Sequence, residues 1–132
     1  MTTAAVDASV VMAWLFAEGE SPKVAAAFET IRRGEAVAPV LLYFEIRNAL
    51  LVAECRKRIT QEQSAIFLNQ LARLAIRMAP PDGDEAMTPA RANALTFHDA
   101  TYLELAKREG LPLATLDRDL EKAAVAEGVA LL

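Results

Sequence analysis

The sequence holds very few residues of the kinds that several common chemistries need. Its 132 residues include one Cys and one His. The single Cys55 excludes an internal disulfide and fits a reducing cytoplasm, which is the location we expect. The single His98 excludes a ribonuclease that works with two histidines. The nucleophile elbow G-x-S-x-G, the P-loop and the dinucleotide fingerprint G-x-G-x-x-G are also missing.

Long apolar runs are absent as well, although 54% of the residues are hydrophobic. No run reaches the roughly 18 residues that a membrane-spanning helix needs. The N-terminus lacks the basic start and apolar core of a signal peptide. The sequence therefore predicts a protein without a membrane partner.

Length and charge set two further limits. A chain of 132 residues is expected to form one domain over residues 1–132. The net charge of −4 argues against a protein that coats nucleic acid through general basicity. It leaves room for nucleic-acid binding at one local site.

Strand and helix signals alternate along the chain. This order predicts an α/β fold, a three-layer sandwich around a mainly parallel sheet of about five strands. The expected strands cover residues 4–7, 35–39, 75–81, 111–116 and 129–132. The first expected helix is short and ends at about Trp14, and the next two cover residues 22–33 and 41–58. A fourth runs from the Thr60 cap to Leu74, and a fifth begins at Pro89 after a Thr88 cap. The last two run from about Asp99 to Gly110 and over residues 120–127. Residues 79–87 are expected to form a loop.

Two acids follow apolar strands. Asp7 ends the first strand, and Asp117 follows the strand that ends at Leu116. Ligands of open α/β sheets bind beyond the carboxyl ends of the strands, which is where both acids lie. The alternative is that each acid only caps the helix that follows it.

Two more acids lie on apolar helix faces. Glu45 has Leu41, Leu42 and Ala49 as helical neighbours, so it is expected to point inward. Asp99 starts the stripe that continues with Tyr102. An inward salt bridge is the alternative for Glu45, and a helix cap is the alternative for Asp99.

One cause explains all these acids better than separate causes do. Four carboxylates in one cleft repel each other unless a cation lies among them. Ligands that are all carboxylates select Mg²⁺ or Mn²⁺ over Zn²⁺. Such sites typically assist phosphoryl transfer, with the metal activating water.

Three segments together resemble the PIN domain, and more narrowly the ribonuclease toxins of the VapC type. They are AAVDASVVMAWL, APVLLYFEIRNALL and LTFHDATYLELAKREGLPLATLDRDLEKAA. The resemblance spans nearly the whole chain in the family's order. Asn93-Ala94 stands where the family commonly has Gly, and Asn tolerates the left-handed conformation.

The resemblance implies a set of site residues. The acidic, metal-binding and catalytic residues would be Asp7, Glu45, Asp99 and Asp117. Asp119 can replace or assist Asp117, and Ser9 and Thr115 would be supporting hydroxyls. Asn48 would support Glu45 from the next helical turn.

The resemblance also implies metal-dependent cleavage of RNA by water, a cognate VapB-type antitoxin that occupies the cleft, and a homodimer. Arg47 and Arg118 lie beside the acids in sequence and are candidates for RNA binding, although an ordinary solvated helix surface is the simpler explanation of them. His98 is interpreted as a packing or cleft-rim residue. Trp14, Phe16 and Phe44 would line a groove for an antitoxin helix or pack in the core.

The main alternative is a non-catalytic PIN-like module that binds RNA or a protein. An aspartyl-phosphate phosphatase is a poorer fit, because its Asp-x-Asp is followed by x-Thr near the N-terminus. Here Asp117 and Asp119 are followed by Glu121, near the end of the chain.

Overall fold

The computed structural model describes residues 3–16 and 21–132. Its four strands are β1 (Ala4–Val6), β2 (Ala36–Pro39), β3 (Ile76–Ala79) and β4 (Leu113–Ala114). Its seven helices are α1 (Ala8–Leu15), α2 (Pro22–Arg32), α3 (Leu41–Cys55), α4 (Gln61–Arg73), α5 (Gly83–Asn93), α6 (Phe97–Glu109) and α7 (Arg118–Ala126).

The four strands form one parallel sheet in the order β3-β2-β1-β4. Every residue of β1, β2 and β4 is buried, as expected for a parallel sheet with helices on both faces. The predicted α/β class with a parallel sheet is therefore confirmed. The predicted fifth strand is reduced to a single parallel bridge between Leu113 and Leu131.

Several helix ends follow directly from local chemistry. Ser21 caps α2, and Pro22 occupies its first turn, where a missing N–H costs nothing. Thr60 and Gln63 form the predicted reciprocal capping box at the start of α4. Gly110 ends α6 in the left-handed conformation.

Two helix boundaries were predicted wrongly. Helix α3 ends at Cys55 rather than near Arg58, because Lys57 takes a left-handed backbone with φ of 58°. Helix α5 begins at Gly83 after an Asp82 cap, so Pro89 lies inside the helix and Thr88 is not a cap. Burial explains this position of Pro89, since Ala86, Pro89 and Ala90 form the buried stripe of α5 and the two alanines pack with Ala100 of α6.

Helix α6 is buried nearly all round. It packs against β1, β2 and β4 on one side and against α5 on the other. Its polar residues Thr101 and Glu104 are therefore buried as well. The left-handed residue before α6 is Ala94 (φ 51°) rather than Asn93, whose side chain donates to Glu127 instead.

Three sequence predictions concern the chain as a whole. Cys55 is a free, exposed thiol. Among the helices of residues 3–16 and 21–132, none is long and apolar enough to cross a membrane. The extent of the domain over residues 1–132 stays a prediction.

Candidate active site

Asp7 lies at the carboxyl end of the central strand β1, and its side chain is only 6% exposed. One carboxylate oxygen, Oδ1, accepts from the Val10 N–H at 3.2 Å and so caps α1. The same oxygen accepts from the Ser9 hydroxyl at 2.6 Å. Asp7 therefore does cap α1, the alternative role predicted from the sequence, but it does so through Oδ1 only.

A second hydroxyl connects Asp7 to the end of β4. Thr115 donates to Asp7 Oδ2 and accepts from the Asp117 N–H at 3.0 Å. Ser9 accepts from the Leu116 N–H at 2.8 Å. Ser9 and Thr115, the two predicted supporting hydroxyls, therefore lie side by side and join the ends of β1 and β4.

Asp117 caps α7, because its Oδ1 accepts from the Leu120 N–H at 3.0 Å. The alternative role predicted from the sequence, a helix cap, is therefore filled by one of the two carboxylate oxygens of Asp117. Burial raises the pKa of Asp99, and the negative charges of Asp117 and Asp119 raise it further. Asp117 and Asp119 therefore both lie within electrostatic reach of Asp99.

Asp99 is not the N-cap of its helix. Thr96 holds that position and accepts from the Asp99 N–H at 3.1 Å. The carboxylate of Asp99 lies in the first turn of α6, and a hydrogen bond from the Thr96 side chain lowers its pKa in part.

Glu45 accepts a hydrogen bond at 2.5 Å from the hydroxyl of Tyr102, a fully buried residue of α6. Burial and this hydrogen bond raise the pKa of Tyr102 far above its usual value, and the charges of Asp7 and Asp99 add to the effect. Glu45 therefore contacts the Tyr102 hydroxyl directly, while Asp7 and Asp99 act on it through their charges. No inward salt bridge of Glu45 is present within the described residues.

Tyr102 is the residue that sequence reasoning missed. It was placed only in the apolar stripe of α6. Its spacing of three residues from Asp99 was the available signal, since such neighbours share a helix face. Asn48, the predicted support of Glu45, makes no hydrogen bond to it among the residues described.

A cavity of about 400 Å³ opens beside Glu45. Its lining residues are Ala8, Leu41, Phe44, Glu45, Asn48, Ala49 and His98. His98 is exposed at its edge, in agreement with a cleft-rim position. Phe44 is 63% exposed.

Two acids have raised pKa values. Burial raises the pKa of Asp7, although hydrogen bonds from Ser9 and Thr115 lower it in part. Burial also raises the pKa of Asp99, with Asp117 and Asp119 adding to the rise. The surroundings of both carboxyl groups therefore disfavour the ionised form. A nearby cation would stabilise that form and lower both pKa values.

The donor chemistry fits a hard divalent cation, while the arrangement is not preassembled. Asp7, Glu45, Asp99 and Asp117 offer only oxygen ligands, and none of them pairs with Lys or Arg in the described part of the chain. Within that part, no three His, Cys, Asp or Glu side chains are grouped closely enough to hold a metal ion.

The arginines predicted to bind RNA and the aromatic residues predicted to line a groove have different neighbours in the structure. The Arg47 guanidinium lies 3.5 Å from the centre of the Tyr43 ring and donates to the Tyr43 carbonyl, while Arg118 is exposed beside Asp117. Trp14 stacks on Phe28 with ring centres 5.0 Å apart, and Phe16 contacts Phe67 edge to face.

A family model described as "PIN domain" matches residues 4–126. The chain belongs to the PIN domain family, and the resemblance seen in the sequence is confirmed. PIN domains are generally nucleases, so the family points to a hydrolase that acts on nucleic acids. No curated protein matches this chain.

Two solved structures share the fold. The chain is similar to PAE2754 from Pyrobaculum aerophilum, with 28% identity and a TM-score of 0.72 over 92% of this chain and 79% of that one. It is also similar to FitAcB from Neisseria gonorrhoeae, with 16% identity and a TM-score of 0.67 over 97% of this chain and 95% of that one. The second likeness concerns the fold alone.

Proposed function

We propose that this protein is a metal-dependent endoribonuclease, a toxin of the VapC type. The observation that carries the proposal is that Asp7, Glu45 and Asp99 all act on the buried Tyr102 hydroxyl, Glu45 through a hydrogen bond and the other two through their charges. None of the three pairs with Lys or Arg in the described part of the chain. Like charges at the carboxyl edge of a parallel sheet are expected where a cation and a phosphate bind.

In this proposal Asp7, Glu45, Asp99 and Asp117 would hold Mg²⁺, or Mn²⁺ in its place, with Asp119 assisting. When bound, the ion would activate water and neutralise charge on the phosphate oxygens. The protein's own hydroxyls prepare this site. Ser9 and Thr115 fix the carboxylate of Asp7, and the hydroxyl of Tyr102 fixes that of Glu45.

Purified protein is expected to cut single-stranded RNA in Mg²⁺ or Mn²⁺ and to stop in excess EDTA, because the acids alone would repel the phosphate. Gel analysis of end-labelled RNA measures the cut positions, and Mg²⁺ added back should restore them. Cleavage at the same rate in EDTA would contradict the metal-dependent mechanism.

A non-catalytic binding module is the second candidate. It is favoured by the finding that the described acids form no preassembled group of three. This candidate predicts RNA or protein binding with no cleavage in any divalent cation. The cleavage experiment above therefore separates the two functions.

We further propose a VapB-type antitoxin as partner and a homodimer, in a cytoplasmic protein. The exposed apolar side chains Leu51, Val52 and Ile66 on α3 and α4 support a protein contact, since such residues lose contact with water when an interface forms.

Light scattering of the purified protein at micromolar concentration is expected to give the mass of two chains, each of 14.3 kDa. Leu51→Lys should shift this mass toward one chain, because it places a charge on the exposed apolar surface. The matched variant Val125→Lys on α7, at a residue of similar exposure, should not. A monomer mass for the wild type would contradict the dimer.

A further inference from the structure

We infer that the cavity beside Glu45 holds one unstacked base of a single-stranded RNA, with Phe44 as its stacking surface and Asn48 and His98 at its polar edge. This inference rests on the proposed function and adds a base-binding position to it.

Phe44 is the first observation. Its ring is 63% exposed although it lies beside a cavity that could shelter it. Tyr43 contacts this ring edge to face at 5.3 Å, and the Arg47 guanidinium lies against Tyr43 in turn. The ring is therefore held by a neighbour, yet still open to a ligand. Bases of single strands stack on aromatic rings of this kind.

The polar residues of the cavity are the second observation. Asn48 offers an amide with donors and an acceptor, and His98 offers an imidazole. Neither side chain has a hydrogen-bond partner within residues 3–16 and 21–132. Base edges carry donors and acceptors that such groups can bind, whereas the apolar face of a partner helix would leave them unsatisfied.

The position and size of the cavity are the third observation. Ala8 directly follows Asp7, and Glu45 itself forms part of the wall, so a base in the cavity brings its own phosphate toward the acids. A volume of about 400 Å³ lies in the range of small-molecule sites and suits a single nucleoside. A base in a duplex is stacked and paired, which is why the substrate would be single-stranded.

Kinetics on single-stranded RNA test the inference. Phe44→Leu keeps an apolar side chain and removes the aromatic face, so KM should rise about tenfold while kcat changes little. Asn48→Ala should change which base is preferred beside the cut. Phe97→Leu is the matched control, because Phe97 is exposed on α6 with its ring beside Gly83, and its KM should equal that of the wild type.

A binding measurement keeps the test independent of cleavage. A short single-stranded RNA with one 2-aminopurine should lose fluorescence on binding to Asp99→Asn protein in Mg²⁺, and Phe44→Leu in that background should abolish the loss. If the wild type cuts no RNA, the proposed function fails, but this quenching still supports the base site. The inferred base site would be overturned if Phe44→Leu left KM, the cut positions and the quenching unchanged. It would also be overturned if that variant changed only the mass of the oligomer.

Discussion

Asp99→Asn is expected to reduce RNA cleavage by at least about a hundredfold while leaving the metal-free protein as stable as the wild type or more stable. The substitution removes one negative charge and keeps the shape of the side chain. Burial disfavours the ionised form of Asp99, and the charges of Asp117 and Asp119 add to this effect. Cleavage assays and thermal melts of both proteins in EDTA measure the two effects.

The direction of the pH dependence follows from the raised pKa of Asp99. Between its unfolded value near 3.8 and the higher folded value, the folded protein binds more protons than the unfolded chain. Stability from this group is therefore present at low pH and is lost as pH rises through that window. In EDTA, the gain of Asp99→Asn over the wild type should be larger at pH 7 than at pH 4.

Mg²⁺ should raise the melting temperature of the wild type by binding to the folded state, and raise that of Asp99→Asn much less. Asp82→Asn is the matched control. Asp82 is the N-cap of α5, the position that Thr96 holds in α6. Because Asn caps a helix about as well as Asp, this variant should keep both the activity and the Mg²⁺ response. An Asp99→Asn protein that melts and cleaves like the wild type would show that Asp99 holds no metal.

Thr115→Val is the second change with a large expected effect, because one buried hydroxyl serves both Asp7 and the Asp117 N–H. Its loss leaves two polar groups without their partner. The expected cost is about 1–3 kcal/mol of unfolding free energy, which corresponds to a fall of several degrees in melting temperature. Cleavage should fall too, because Asp7 loses the group that fixes it.

Thr30→Val provides the comparison. Thr30 is also buried, but its hydroxyl donates only to the Ala26 carbonyl of its own helix, at 3.1 Å. This variant should lose less stability and no activity. Urea unfolding gives the stability of each protein, and initial rates give the activity. Equal behaviour of the two variants would mean that Thr115 has no special connection with the acids.

The features predicted most accurately from the sequence are the helix starts that residues close together in the chain determine. Thr60 with Gln63, and Ser21 with Pro22, specify helix starts through local hydrogen bonds, and the structure has them where expected. The start of α5 was missed because the burial of Pro89 depends on α6, which lies later in the chain. The length of β4 was overestimated because pairing with distant strands, not propensity, limits it.

The candidate site shows the same division. The position of Asp7 and Asp117 at strand ends could be read from the pattern of apolar runs. The partnership of Tyr102 with Glu45 joins residues 57 positions apart, and no local pattern predicts it. The metal-binding and catalytic roles of these acids stay predictions.

The order of the strands also bears on when the protein can become active during its synthesis. Strand β1 is made first and lies in the centre of the sheet, but one of its two neighbours, β4, is made last. The hydrogen bond from Thr115 to Asp7 spans 108 positions in the sequence. A nascent chain that ends before α6 carries Asp7 and Glu45 but neither Asp99 nor Asp117. The proposed acidic site can therefore be completed only after the segment that carries Asp99 and Asp117 has been synthesised.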